Sequence, residues 1–431
     1  FKLFSIKSLF EEFNTKDMLG VQTEKTAEKC LNDCMTTWRL YHYFNKYLTD
    51  NQWECYEVDR KLIHILREVE KKGLALRQVV LEEHDLRLRQ EILDIKTTCD
   101  LEGGFNPGSP QQVGMVLAMR GNTLPFTGRS YKRLKTGEEV LELLTDPLAA
   151  TILDYRRKSK LLSTYVKPWL GKERAYTHFR LDLATGRLAS GSINNWDDVN
   201  RNLQNIPKPM REIFRPDNKV WTWMDYSQIE LRVLAWMSKD KTMMEEYAKA
   251  KPDLHQITAD AGGVDRPAGK TFNFAMVFGA NNKMLARKTG VDIKLIPDMR
   301  DAWGKLYLGA QSWINNQQYS HNGEWVESDF GRRMRLPEPA EGNIMTKGFA
   351  AHVGKCAINY PIQGTAADIV KRGMIKVYES GADLRLQIHD EYLVDGLWTP
   401  EPSLANIHPE MYTPFETKSS PVWSLSSTIS T

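Results

Sequence analysis

The chain has 431 residues, 41% hydrophobic and 26% charged, with a net charge of +3. That is ordinary globular composition, with length enough for two or three compact units. No apolar run approaches the roughly 18 residues that span a bilayer, and FKLFSIKSLFEEF at the start has no signal-peptide core followed by a small-residue cleavage site. The five cysteines, Cys30, Cys34, Cys55, Cys99 and Cys356, are odd in number and scattered without a C-x-x-C pair. This argues against a disulfide framework and a zinc site, and makes a reducing compartment the expectation. The first residue is not Met and falls in mid-pattern, so the chain reads as a piece of a longer protein.

In chain order, residues 60–98 are heavily charged with Leu62, Ile65, Leu66 and Val69 at helical spacing, which predicts long exposed helices. GGFNPGSPQQ at 103–112 is a break built of turn residues. Helical patterning resumes at TGEEVLELL, where Thr136 is placed to cap and Glu139 sits three residues on. Basic residues cluster. Arg120, Arg129, Lys132, Arg133 and Lys135 fall between Ala118 and Lys135 with no acid among them, and Arg156, Arg157, Lys158, Lys160, Lys167 and Lys172 do the same between Tyr155 and Lys172. With Tyr131, Tyr155 and Tyr165 interleaved, the tracts are either solvated helix faces or a grip on a phosphate backbone.

Residues 176–224 read as short strands and loops, ending in a buried strand at Val220, Trp221, Trp223 and Met224. Ile229, Val233, Trp236 and Met237 then share one helix face, so Asp225 sits where a strand becomes a helix. Two readings of that acid stay open: a catalytic carboxylate, or part of a helix start in which Ser227 and Glu230 form a capping box. Residues 240–380 look mostly helical. Within them Arg266, Lys270, Phe274 and Phe278 recur every four residues, a drift of about 40° per step on a helix. Pro267 falls in the first turn and Gly279 can end the helix. The two cations beside free N–H groups make either a triphosphate-sized anion site or a basic face. LRLQIHDEYLVD predicts a β-hairpin with acids at its turn. If its strands pair with the strand before Asp225, Asp225 and Asp390 can bridge two Mg²⁺ ions about 4 Å apart. The fold class expected is α+β, a small antiparallel sheet carrying large helical insertions.

At these residues a family resemblance appears. DYSQIELRVLA (225–235), RPAGKTFNFAMVFG (266–279) and QIHDE (387–391) resemble the three motifs of A-family DNA polymerases, the group of bacterial DNA polymerase I and phage replicases. TGRLAS (185–190), RNLQNIP (201–207), DLHQITA (253–259), GRRMRLP (331–337) and NYPIQGTAADIVKRGM (359–374) are similar to further family segments. AEKCLNDCMTTWRLY (27–41) resembles the last motif of a 3′→5′ exonuclease, with Asp33 and Thr37 at the family spacing.

The resemblance implies a right-hand polymerase fold with an antiparallel palm sheet and helical fingers and thumb. The implied domains are an exonuclease-like remnant at 1–55, a thumb with the start of the palm at 56–168, palm at 169–240, fingers at 241–354 and palm again at 355–431. It implies Asp225 and Asp390 as holders of two Mg²⁺ ions, with Mn²⁺ able to substitute, and the Tyr226 carbonyl as a further ligand. Lys270 and Glu391 join the two aspartates as catalytic groups, Lys270 as proton donor to pyrophosphate and Glu391 at the primer terminus with His389. Arg266, His255, Phe274, Phe278, Gln228 and Glu230 would bind the deoxynucleoside triphosphate, Glu230 by blocking a ribose 2′-hydroxyl. Arg187, Gln204, Asn359, Gln363, His389 and Lys355 would touch primer-template DNA. A cytoplasmic monomer, bacterial or phage-encoded and with room for processivity or replisome partners, is implied, and no membrane.

The sequence also departs from the family. Phe278 stands where bacterial members have Tyr, Lys355 where Arg is usual, and Lys29 where the exonuclease motif has Tyr. SINNWDDVNR is longer than the family norm, and the residues after Asp395 do not follow the bacterial pattern. Two rivals are a single-subunit polymerase of relaxed sugar selectivity, which should lack the acid at 230, and a non-catalytic DNA-binding remnant, which should have lost Asp225 or Asp390.

Overall fold

Long charged helices open this computed structural model, which describes residues 23–126, 133–192, 200–319, 323–339 and 346–423. Residues 1–54 and 55–431 form two compact units. The first holds helix α1 (Thr23–Tyr47), in which the Thr37 hydroxyl donates to the Asp33 carbonyl at 2.8 Å and Leu31, Trp38 and Tyr41 are exposed. In α2 (Asp50–Lys72) the buried residues Leu62, Ile65, Leu66 and Val69 form one face, as their spacing predicts. Strand β1 (Leu74–Leu76) and α3 (Gln78–Leu101) follow. The 103–112 break ends α3, and α4 (Pro110–Met119) starts with Ser109 accepting from the Gln112 amide and Pro110 in its first turn.

The short α5 (Glu138–Leu141) and α6 (Pro147–Lys160) share a separate core of Phe105, Val113, Leu117 and Ile152 with α4. One expectation fails here. Thr136 does not cap α5: Gly137 holds that position with no side-chain bond, and the Thr136 hydroxyl is buried and accepts from Arg156 Nη2 at 3.4 Å. A half-buried guanidinium needs its acceptors more than helix N–H groups that water can reach.

β2 (Arg174–Ala175) and β5 (Phe214–Arg215) flank β1, while β3 (His178–Arg180) pairs with β4 (Ala189–Gly191). β6 (Trp221–Tyr226) is the strand expected before Asp225, and α7 (Ile229–Ser238) follows it. Six helices make the mostly helical stretch: α8 (Lys241–Tyr247), α9 (Leu254–Gly262), α10 (Arg266–Val277), α11 (Asn282–Thr289), α12 (Ile296–Leu306) and α13 (Leu308–Tyr319). A hairpin of β7 (Trp325–Glu327) and β8 (Arg333–Arg335) interrupts before α14 (Lys347–Glu379). β9 (Leu384–Ile388) and β10 (Glu391–Asp395) form the expected hairpin, and β11 (Phe415–Ser420) closes the sheet from a segment whose sequence suggested no assignment.

The sheet that matters for the site is antiparallel in the order β11–β6–β10–β9. Helix α14 packs on it through Gly373: a β-carbon there would lie 2.6 and 2.5 Å from the hydroxyls of Tyr226 and Tyr392. The Tyr392 hydroxyl donates to the Val370 carbonyl at 2.6 Å and that of Tyr226 to the Leu404 carbonyl at 3.1 Å. The architecture is α+β, one small sheet with helices gathered around it. Among the described residues no helix is long and apolar enough to cross a membrane.

Candidate active site

Strand register builds the acidic centre. β6 and β10 pair with Asp225 opposite Glu391, so Asp390, in the two-residue turn just before β10, comes beside Asp225, and the Tyr226 amide donates to the Asp390 carbonyl at 3.2 Å. His389 in that turn has φ 53, the left-handed region that costs a non-glycine residue about 1 kcal/mol. The turn is propped from below: the Gln387 amide donates to the His389 carbonyl, and Gln204 Nε2 donates to Gln387 Oε1 at 2.9 Å. Gln204, expected at DNA, is therefore buried as a support for the turn that carries Asp390.

The three acids differ in their partners. Glu391 is buried and accepts from Arg211 Nη1 at 3.1 Å and from the Trp423 indole at 3.3 Å, while the Arg211 guanidinium lies 4.3 Å from the Trp423 ring centroid. Among the described residues, neither Asp225 nor Asp390 has such a bonded cation. Desolvation and then the Asp225 charge push the Asp390 carboxyl up to about 7, and desolvation followed by the charge of Glu416 on β11 raises Asp225. A buried carboxyl raised by a neighbouring carboxylate, as Asp390 is by Asp225, marks a site that favours a cation. Among the described residues no group of three His, Cys, Asp or Glu side chains could hold a metal. The oxygens that could face a cation here are those of the two aspartates and of the Tyr226 main chain, since the Tyr226 side chain is buried in the core. That suits Mg²⁺, which takes few carboxylates and completes its octahedron with phosphates and water.

Of the three acids, Asp390 lines a cavity of about 350 Å³, together with Arg187, Gln228, Glu230, Phe274, Phe278 and His389. The capping-box reading of Ser227 and Glu230 does not hold. α7 begins at Ile229, its cap residue Gln228 has φ 55 and makes no side-chain bond to the helix start, and the Glu230 carboxylate pairs with Arg187. Desolvation raises Glu230 and Arg187 opposes the rise. A buried carboxylate gains more from a guanidinium than from a backbone amide.

Phe274 and Phe278 line the cavity as a stacked pair, ring centroids 6.3 Å apart and planes within 6°. α10 is not the bare basic helix start that the spacing suggests. Asp265 caps it by accepting from the Ala268 amide, and Arg266 is tied to Asp253 at 2.8 Å. Lys270 remains exposed and lines a second cavity of about 550 Å³ with Phe274, Phe278, Lys288 and Lys355. His255 is buried, and Asn273 Nδ2 lies 3.2 Å from its Nδ1. Asn273 Oδ1 already accepts from Thr258 and Trp303, which fixes that amide as donor and leaves the imidazole proton on Nε2. Gln363 and Asn359 are half-buried on α14, and neither lines these two cavities.

Comparison with known proteins gives this geometry its family. A sequence model described as DNA polymerase family A matches residues 78–411, most of the chain. The chain belongs to DNA polymerase family A. It is 30% identical over 427 residues to DNA polymerase I of Caldicellulosiruptor bescii, covering 91% of this chain and 48% of that protein. It is 32% identical over 412 residues to the thermostable DNA polymerase I of Thermus filiformis, covering 87% and 47%. The chain therefore spans about half the length of the curated relatives it matches. The fold resembles the POL domain of Pol1 from M. smegmatis, solved in complex with DNA primer-template and dNTP, at a TM-score of 0.72 and 23% identity over 85% of this chain and 70% of that one. The α+β architecture is thus the right-hand polymerase fold.

In this family member Arg120 of the first basic tract and Arg156, Arg157 and Lys158 of the second are bonded internally. Arg120 binds Asp146 and Glu102, Arg156 donates to the Pro107 and Thr136 carbonyls, Arg157 binds Glu138 and Glu142, and Lys158 binds Asp154 and Glu91. Arg129, Tyr131 and Lys132 lie outside the described residues, as does most of the SINNWDDVNR insertion. Sequence reasoning missed Arg211, Asn273, Asp253 and Glu416. For Asp253 and Asn273 a signal existed, since both lie inside the matching motifs.

Proposed function

We propose that the chain carries out template-directed DNA synthesis, adding deoxynucleotides to a primer 3′ end with release of pyrophosphate. The observation that carries the reading is the register-fixed aspartate pair, of which Asp390 lines a cavity walled by two stacked phenylalanines and a glutamate paired with Arg187. Asp225, Asp390 and the Tyr226 carbonyl would hold two Mg²⁺ ions, for which Mn²⁺ can substitute. The chemistry such ions supply when bound is acidification of the attacking 3′-hydroxyl and neutralisation of the departing pyrophosphate.

The chain's own groups do the rest. Arg266 exchanges Asp253 for the triphosphate, His255 donates from Nε2 to a phosphate oxygen, and Lys270 Nζ gives a proton to pyrophosphate. Phe274 and Phe278 pack on the incoming sugar and base, with Gln228 lining the same cavity. Glu230 closes the space a ribose 2′-hydroxyl would need. Arg187, His389, Glu391, Asn359, Gln363 and Lys355 lie toward the primer-template. We assign the thumb to 56–168, the fingers to 241–354, the palm to the rest of 169–431, and 1–55 to the end of an exonuclease-like domain, with Asp33 as a structural remnant. The bacterial sources of the relatives support a cytoplasmic location.

The test is extension of a labelled primer on a DNA template with Mg²⁺ and deoxynucleotides. Template-matched addition is expected, and DNA binding without any addition would favour a non-catalytic role.

A further inference from the structure

Arg332 lines neither cavity, yet a closed charge network fixes it. Its Nη1 and Nη2 donate to Asp59 of α2 at 2.7 and 3.1 Å, and its Nε donates to Asp368 of α14 at 2.7 Å. Asp59 also accepts from Lys371 Nζ at 2.7 Å, and Asp368 from the Ser328 hydroxyl at 2.7 Å. Two cations and two carboxylates thus lock α2, the β7–β8 hairpin and α14 together, and the fork geometry leaves the Arg332 side chain one orientation.

What lies against that side chain is the turn leading to the polymerase cavity. Gly186 has φ +71, and a β-carbon on it would fall 2.7 Å from Arg332 Cδ and 3.0 Å from Nε. Only glycine tolerates both the conformation and the approach. The next residue is Arg187, which pairs with Glu230 inside the cavity. A chain of contacts therefore runs from Asp59 and Asp368 through Arg332 and the Gly186 turn to Arg187 and Glu230. We infer that Arg332 is a positioning residue for sugar selection: its locked side chain seats the Gly186 turn so that Arg187 aims the Glu230 carboxylate at the sugar of the incoming nucleotide. The inference rests on the reading of Glu230 as the group that rejects a ribose 2′-hydroxyl.

The experiment measures kcat/KM for deoxy- and ribonucleoside triphosphates in primer extension by the parent, Arg332→Lys, Asp368→Asn, Arg187→Met and the Arg187→Met/Arg332→Lys double variant. Arg332→Lys keeps the charge and loses the fork, while Asp368→Asn keeps the shape and loses one acceptor charge. Each is expected to lower the deoxy-over-ribo ratio about tenfold, the scale of one misaimed charge-assisted hydrogen bond. Arg332→Lys should add nothing further in the Arg187→Met background. A network that only stabilises the fold would slow both sugars alike, so an unchanged ratio in whichever of the two variants keeps the parent's melting temperature overturns the inference. Multiplying effects in the double variant overturn it too. Glu230→Ala is run beside them. If it alters the ratio while Arg332→Lys does not, only the Arg332 inference fails; if Glu230→Ala leaves the ratio unchanged, the reading of Glu230 fails and the inference goes with it.

Discussion

The β6–β10 sheet and helix α10 border two cavities that share Phe274 and Phe278, and they hold their charges by different means. The sheet presents Asp225 and Asp390 through backbone register, with no bonded cation among the described residues to relieve them. α10 presents cations through side chains, and Arg266 is held by an ion pair in which both partners are largely exposed. A group placed by register cannot swing away from its like-charged neighbour, so relief comes from a bound proton or a bound cation. A group held by a surface pair exchanges partners at a cost of about 0–1 kcal/mol. The rigid half of the site is therefore expected to set the chemistry and the exchangeable half to admit the nucleotide.

The largest expected effect breaks the rigid half. Asp225→Asn or Asp390→Asn should reduce primer extension by at least about 10³-fold, while the melting temperature of the metal-free protein holds or rises, because a repulsive pair is removed. A variant that extends at the parental rate would remove that acid from the centre. On the other half, Lys270→Ala should lower kcat/KM for nucleotide about 10²-fold through a lost charge and proton donor. Asp253→Ala, which frees Arg266, should change it less than about threefold. Steady-state kinetics with a single templating base separates the two.

The third way to sharpen the contrast uses Glu391, the one acid of the three with a guanidinium. Arg211→Met should cost about 3 kcal/mol in denaturant unfolding, because it leaves a buried carboxylate unpaired, and Arg211→Met/Glu391→Leu should recover most of it. Equal losses in single and double variants would mean that packing on Trp423, not charge, holds Arg211 in place.

Much of this contrast is legible in the sequence, and what is not has a common cause. The apolar run ending at Met224, the QIHDE hairpin and the four-residue spacing from Arg266 to Phe278 each follow from local periodicity, and each appears where its pattern falls. The partners of Arg211, Glu230 and Arg266 do not follow, because each is chosen by the third dimension: 180 residues separate Arg211 from Glu391 and 43 separate Arg187 from Glu230. Helix-start patterns mislead for the same reason. Thr136 and Glu230 both match a capping rule, and both are claimed by an arginine distant in sequence. β11 escapes notice because FETKSS is half-exposed and polar, with no alternation strong enough to mark a strand, and it is recruited by pairing with β6.

The smallest expected effect compares the two halves through pH. His255 beside α10 is pulled down to about 4 from an ordinary 6.5, first by burial and then by the charges of Lys270 and Arg266. Its folded value lies below its unfolded value, so the neutral ring stabilises the fold above pH 6.5, and that contribution is lost as pH falls from 6.5 through about 4. Asp390 behaves oppositely. Its folded value of about 7 lies above the ordinary 3.8, so its contribution is complete below pH 3.8 and is lost as pH rises through 7. In the metal-free protein, the melting temperature of His255→Gln should gain on that of the parent as pH drops from 6.5 to 4. That of Asp390→Asn should gain on the parent as pH climbs from 4 to 7. Opposite slopes would show that burial and like-charged neighbours together disfavour the charged form of each group. Parallel slopes would mean that an opposite charge dominates one of them, Asp253 at His255 or Arg187 at Asp390.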